Sequence, residues 1–265
     1  MKYFASTSSD LDALSAHPGV GVMTGPRTGG LGSVRTGRAW ASDCDALSKN
    51  GYHHGAYLQH LTRLQRFHDT CAFVVVPDVP GDAEATLTTY WHAAPALASD
   101  GFLLAYCLQD GAQDLEFPPC DVAFLGGTDD WREAHGAWLL ERAREAGLRT
   151  HVGRVNSLRR VQHLAFCHTD SCDGTYVAFQ GVAQGVADIG LWLEAAAAPR
   201  LFGPDAIRAL QLTEDRVRTL RAARRQQRRA ARADVSTMPD LFSTAPLPHL
   251  PWADDEAAVI TRKAS

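Results

Sequence analysis

The amino-acid sequence predicts an α/β protein built as a compact (β/α)8 TIM-like barrel. Eight short apolar or β-branched runs, each bounded by turn residues, read as buried strands. Stretches of helical period lie between many of them. Polar residues, aspartates above all, fall just after the runs, where a barrel presents its chemistry. Alternating strand and helix demands parallel strands joined by crossovers. An open doubly wound sheet is the competing architecture. No G-x-G-x-x-G follows the first run, which counts against a dinucleotide-binding version of it.

The runs span 3–7, 20–24, 39–43, 73–76, 102–108, 122–125, 150–152 and 166–172. A helix over 55–68 places Tyr57, Leu58, Leu61 and Leu64 on one face. A second, over 82–98, opens with Asp82 as N-cap and Glu84 in its first turn. A third, over 130–146, stops at Gly147, a residue suited to the position after a helix end. A fourth, over 156–167, opens on Asn156 or Ser157. The stretch 24–38 is rich in Gly, Thr and Arg without helical period and reads as a long loop over the site. The barrel is expected to occupy 1–200, an Arg-rich helical extension 201–236, and a Pro-containing, partly disordered tail 237–265. Within 214–234 eight arginines stand against three acids, on a background of helix-favouring Ala and Gln.

Of the 265 residues, 45% are hydrophobic and 21% charged, which suits a globular domain with a sizeable core. That composition excludes a wholly disordered chain, a disulfide-stapled miniprotein and a coiled-coil rod. The net charge of -4 excludes a globally basic nucleic-acid binder, although a local basic patch is compatible with it. Six scattered cysteines, none in a CxxC pair, read as free thiols in a reducing compartment. The first ten residues contain no apolar signal region, and the longest aliphatic runs fall far short of the roughly 20 residues of a membrane span. The expectation is a cytoplasmic protein with no membrane partner.

Asp43, Asp78, Gln109 with Asp110, the pair Gly126–Gly127, Gly153 with Arg154, and the TDSCDGT segment holding Asp170 and Asp173 all lie at or after strand ends. An aspartate after a strand is more often a turn former than a catalyst. Several at one rim are a stronger sign. The ordered set WASDCDALS, FVVVPDVPGDAEATL, LAYCLQDG, DVAFLGGTDDW, HVGRVNSLRR and TDSCDGT, covering about half the chain, resembles the guanine transglycosylase family. It is most similar to the shorter phage and bacterial DpdA-type branch, which exchanges guanine in DNA for a 7-deazaguanine such as 7-cyano-7-deazaguanine. The resemblance implies that Asp173 is the nucleophile, with Asp170 the first Asp of the same D-x-x-D element. It implies that Asp78 recognises the base, Gln109 contacts its far edge, and Gly126 and Gly127 approach it with their backbone. Asp43 stands where the family has an Asp held near base and sugar. Here Cys44, Asp45, Ala46 and Leu47 follow it in place of a glycine-containing run, a departure from the family pattern that adds the charge of Asp45.

The chemistry suits these residue types. An ionised carboxylate can accept both the N1–H and the amine of guanine, a donor pair that adenine lacks. The O6 edge needs donors, for which Gln109 and the amides near Gly126 and Gly127 are candidates. A carboxylate beneath the anomeric carbon can stabilise positive charge there and then bond to it, as in retaining glycosidases. Asp43 is the candidate to relay a proton to the leaving base. The target nucleotide must leave the base stack, at a cost of a few kcal/mol. Arg154, Arg159 and Arg160 are candidate phosphate contacts, with a solvated helix face the plainer reading of the last two. The expected partners are DNA and a free 7-deazaguanine base, with an accessory DNA-opening protein also compatible with the sequence.

No zinc or other cofactor is expected. The family's tRNA enzymes hold zinc on cysteines downstream of the nucleophile, and no cysteine follows Cys172 here. The spacing of His163, Cys167, His168 and Cys172 matches no zinc motif. Three alternatives stay open. One is a tRNA-acting enzyme, against which the missing zinc element counts. Another is a metal-dependent barrel hydrolase using His151 and His163. The last is a non-catalytic base- or nucleic-acid-binding relative.

Overall fold

The computed structural model describes residues 1–6, 14–28 and 31–197. All belong to the unit Met1–Arg200. The Arg-rich 201–236 and the tail 237–265 lie outside the described residues, and so does the expectation attached to them.

Eight parallel strands close into a barrel in chain order: β1 (Lys2–Ser6), β2 (Val20–Thr24), β3 (Trp40–Ser42), β4 (Cys71–Val75), β5 (Leu104–Leu108), β6 (Val122–Leu125), β7 (Arg149–Val152) and β8 (Ser171–Gly174). β1 pairs with both β2 and β8, so the first strand shuts the ring. The helices are α1 (Gly32–Arg35), α2 (His54–Leu64), α3 (Ala83–Ser99), α4 (Asp129–Glu145), α5 (Leu158–Phe166), α6 (Tyr176–Gln180) and α7 (Val182–Ala197). This is the (β/α)8 barrel that the sequence predicts.

Local chemistry explains the boundaries. The Asp82 carboxylate accepts the Ala85 N–H at 2.9 Å and starts α3. Ser157 does the same for α5 by accepting the Arg160 N–H. Two expectations shift. The stretch 24–38 contains the short helix α1, whose Val34 is buried against the core. The last strand begins at Ser171 rather than 166, because α5 runs through Phe166 and His168 turns the chain with φ 53°. Phe166 is apolar yet 69% exposed, so the run that suggested a strand is the outer end of a helix.

Side chains alternate between lumen and outer layer along each strand. On the outside, Trp40 packs edge-on to Phe102, and its indole N–H donates to the Phe67 carbonyl at 3.0 Å. Tyr57 on α2 donates to the Val75 carbonyl at 2.6 Å, which fixes that helix to β4. In the lumen, Phe4 (β1), Phe73 (β4), Phe124 (β6) and His151 (β7) meet across the ring. Several of these strands are not neighbours, so the contacts pass through the interior and form a layer that closes it. Phe73 and Phe124 approach the imidazole of His151 with ring centroids 4.8 and 4.5 Å away. This layer is the floor beneath the strand ends.

Among the described residues no helix is long and apolar enough to cross a membrane.

Candidate active site

The carboxyl ends of the strands bring Asp43, Asp78 and Asp173 to one mouth. Asp43 follows β3, with its backbone N–H bonded to the Thr24 carbonyl at 2.8 Å. Burial is the larger cause, and the neighbouring carboxylates of Asp173, Asp78 and Asp45 the next, in raising its pKa from 3.8 to about 7. It is therefore poised to hold or release a proton near neutrality. Asp45 has φ 65° and is paired to Arg27 at 3.1 Å, so the extra charge beside Asp43 has a partner.

Asp78 follows β4 and is also pushed up by burial, opposed by hydrogen bonds from Cys44, Cys107 and Gln109. The Cys44 thiol donates to its Oδ1 at 3.2 Å, and the Gln109 amide donates to its Oδ2 at 2.6 Å. Both thiols are held well above the usual cysteine range by burial first and then by Asp78. They are thiols, not thiolates, at neutral pH.

Gln109 is only 2% exposed, and its amide is fully engaged. Its Nε2 also donates to Cys107 Sγ at 3.2 Å, while its Oε1 accepts the backbone N–H groups of Gly81 at 2.9 Å and Gly127 at 3.0 Å. It knits the ends of β4, β5 and β6 around Asp78. The Gly126 N–H is likewise used, by the Leu108 carbonyl at 3.0 Å. The sequence reading has these groups as free donors to the far edge of a base. The structure instead spends them on holding the mouth together. A side chain at Gly126 would meet Cys107 Sγ at 2.7 Å, so glycine here permits the packing of β5 against β6. Gly127 has φ 67° and lies against Trp131. Asp110 accepts the Thr128 N–H and hydroxyl, each at 2.7 Å, and pins the start of α4.

Asp173 lies in β8, in register with Phe4 of β1 and on the lumen side. Its Oδ1 accepts the Arg154 backbone N–H at 3.0 Å, and its Oδ2 lies 3.2 Å from His151 Nε2. Gly153 is buried after β7, and its carbonyl accepts from the Arg132 guanidinium at 2.8 Å. Arg154 has φ 61°, an unusual conformation for a residue with a side chain, and it is this turn that aims its N–H at Asp173.

Asp170 does not join the group. It immediately precedes β8, three residues before Asp173, so the strand separates the two by about 10 Å. Its carboxylate accepts from the Thr150 N–H at 2.8 Å and hydroxyl at 3.1 Å, tying β8 to β7 at the opposite end of the barrel. The resemblance places Asp170 in one D-x-x-D element with the nucleophile and makes it a substrate-binding candidate. In an extended strand, residues i and i+3 lie on opposite faces and far apart, which is why the two do not meet. A cavity of about 1050 Å³ opens at that end, lined by Lys2, Arg38, Arg149, Asp170 and Ser171 among others. The acids with raised pKa values and the Asp173 carboxylate lie at the other end, which is the candidate site.

Arginines flank the mouth. The guanidinium of Arg154 donates to the Gly127 carbonyl, and that of Arg160 to the Arg154 carbonyl at 3.0 Å. Arg132 on α4 completes the group. Burial, then Arg154 and Arg160, lower its pKa to about 10. Its Nη1 is buried without a hydrogen bond and lies 3.9 Å from Asp129. Main-chain carbonyls thus position three like charges. Arg159 is exposed on α5. Sequence reasoning missed Arg132, Cys44 and Cys107, and weighed His151 only as a metal ligand. No motif marks Arg132, which looks like any charge on a helix face. Cys107 was legible as a lumen position two residues before Gln109. Among the described residues no group of three or more His, Cys, Asp or Glu is arranged to hold a metal ion.

No protein-family model matches the chain, and no curated protein does. Solved structures similar to the chain include two. One is the Amycolatopsis orientalis BexX/CysO complex, at 14% identity and a TM-score of 0.45, covering 76% of this chain and 94% of that one. The other is a 4-hydroxy-2-oxoglutarate aldolase/2-deydro-3-deoxyphosphogluconate aldolase from TTHB1, at 16% identity and a TM-score of 0.43, covering 74% and 93%.

Proposed function

We propose that this chain is a base-exchange transglycosylase that replaces guanine in DNA with a 7-deazaguanine derivative. The observation that carries the reading is the meeting of Asp43, Asp78 and Asp173 at one mouth, each in a different environment. Asp173 has its Oδ1 held by the Arg154 backbone N–H and serves as nucleophile. One of them bonds to the anomeric carbon as the bond from that carbon to N9 of guanine breaks, its electron pair leaving with the base. Asp43, protonated up to about pH 7, gives the departing base its proton. The incoming deazaguanine returns a proton to Asp43, attacks the anomeric carbon and frees the Asp173 carboxylate. The reaction needs no cofactor.

Asp78 reads the guanine edge. Hydrogen bonds from Cys44, Cys107 and Gln109 fix the carboxylate so that it presents its remaining acceptor capacity to the N1–H and amine. The structure supports a division of labour in which Gln109 buttresses Asp78. Arg132, Arg154 and Arg160 form the seat for phosphates flanking the flipped nucleotide.

The test is exchange of labelled guanine or deazaguanine into DNA and into tRNA, with a denaturing gel to trap the protein–nucleic acid ester. Wild type should exchange the base in DNA and form the ester. Asp173→Asn should do neither. Wild type that exchanges no base in either polymer overturns the reading.

A further inference from the structure

Beneath Asp173 runs a buried chain of polar groups that the exchange reaction as written does not use. His151 is fully buried, edge-on to Phe73 and Phe124, and the chain leaves its two nitrogens one partner each. Nδ1 lies 2.8 Å from Ser171 Oγ, and Nε2 lies 3.2 Å from Asp173 Oδ2. The register accounts for the alignment. His151 pairs with Ser171 across β7 and β8, and Asp173 follows two residues on, on the same lumen face. An imidazole placed in an aromatic layer for packing alone would leave its polar atoms costly and unpaired. Here both are satisfied, in line with the carboxylate.

We infer that Ser171 and His151 are positioning residues for Asp173, a relay in which the serine hydroxyl sets the imidazole tautomer and the imidazole aims the nucleophile. An ionised carboxylate can only accept, so Nε2 carries the proton. In the neutral imidazole Nδ1 then accepts, and its donor is the Ser171 hydroxyl. With Oδ2 held by His151 and Oδ1 by the Arg154 N–H, the carboxylate is locked in rotation about its last bond. The same N–H faces the ester while the glycosyl group is attached, and stabilises the carboxylate as it leaves. The role in catalysis rests on Asp173 being the nucleophile; the tautomer does not.

The experiment therefore has two arms. In the full-length wild type, isotope-edited NMR of the His151 ring nitrogens should show a neutral imidazole protonated on Nε2, and Ser171→Ala should mix the tautomers. A proton on Nδ1 in wild type overturns the inference, whatever the fate of base exchange. In the second arm, His151→Phe preserves the aromatic layer and removes the donor. It should slow formation of the covalent ester roughly 10- to 100-fold, the worth of a hydrogen bond to a charged group, with KM for DNA unchanged. His151→Gln, which restores an N–H donor, should recover part of the loss. Equal rates in wild type and His151→Phe overturn the inference while leaving the exchange reading intact. If wild type forms no ester, the exchange reading fails and the NMR arm alone decides the relay.

Discussion

Asp43 shows how a single side chain can be tuned against the stability of its own fold. Its folded pKa of about 7 lies above the ordinary 3.8, so the folded state holds a proton that the unfolded state has lost. The stabilising protonated form is fully present below the unfolded value and is lost as the pH rises through about 7. Asp43→Asn should therefore stabilise the protein above pH 7, by up to about 4 kcal/mol, with the gain vanishing towards pH 4. Melting temperatures across that range check it. The exchange rate should show the counterpart, falling as the pH rises through about 7 in wild type. A pH-independent gain in the variant would mean that packing rather than ionisation sets its effect. Gln109 is a second case. Gln109→Ala removes the shared partner of Asp78, Gly81 and Gly127 and should cost roughly 2–4 kcal/mol by denaturant unfolding. Its KM for the free base should rise more than its KM for DNA.

At the scale of elements, strand position was more legible than strand function. The apolar runs and caps of 82–98 and 156–167 reveal α3 and α5 because Asp82 and Ser157 act locally, within one turn. The eighth strand was shifted because the apolar end of α5 imitates a strand until His168 turns the chain. In the site, Asp43, Asp78 and Asp173 could be read from their places at strand ends. The commitment of Gln109 could not, since its partners come from the loops after β4 and β6 and from β5 itself. Asp170 misled because the motif spacing carries no information on which end of the barrel a residue faces. The loops after β6 and β7 interlock through Arg132 on the Gly153 carbonyl and Arg154 on the Gly127 carbonyl. Arg132→Met keeps the bulk on α4 and removes that tie. It should weaken DNA binding and lower its salt dependence by about one phosphate contact, with base affinity unchanged. Fluorescence anisotropy at several salt concentrations measures both.

The whole molecule is a ring that β1 closes, and its stability follows from that. Phe4 sits in the closing strand and in the lumen layer at once. Phe4→Ala should cost about 3–5 kcal/mol and lower the denaturation midpoint of the barrel as one transition. Acid should also act on the molecule as a unit. His60 is buried beside Thr24, and burial first and Arg63 second hold its pKa down at about 4 against 6.5 when unfolded. Its contribution is intact above pH 6.5 and is lost as the pH falls towards 4. His60→Gln should flatten that limb of the stability curve. The sealed lumen has a further meaning for traffic. A site with aromatic rings for a floor is a cul-de-sac, so under the proposed exchange the outgoing purine and its replacement would use the same doorway in turn. Free guanine should then compete with the incoming base while the polymer stays tethered, and surplus guanine would drive turnover backwards.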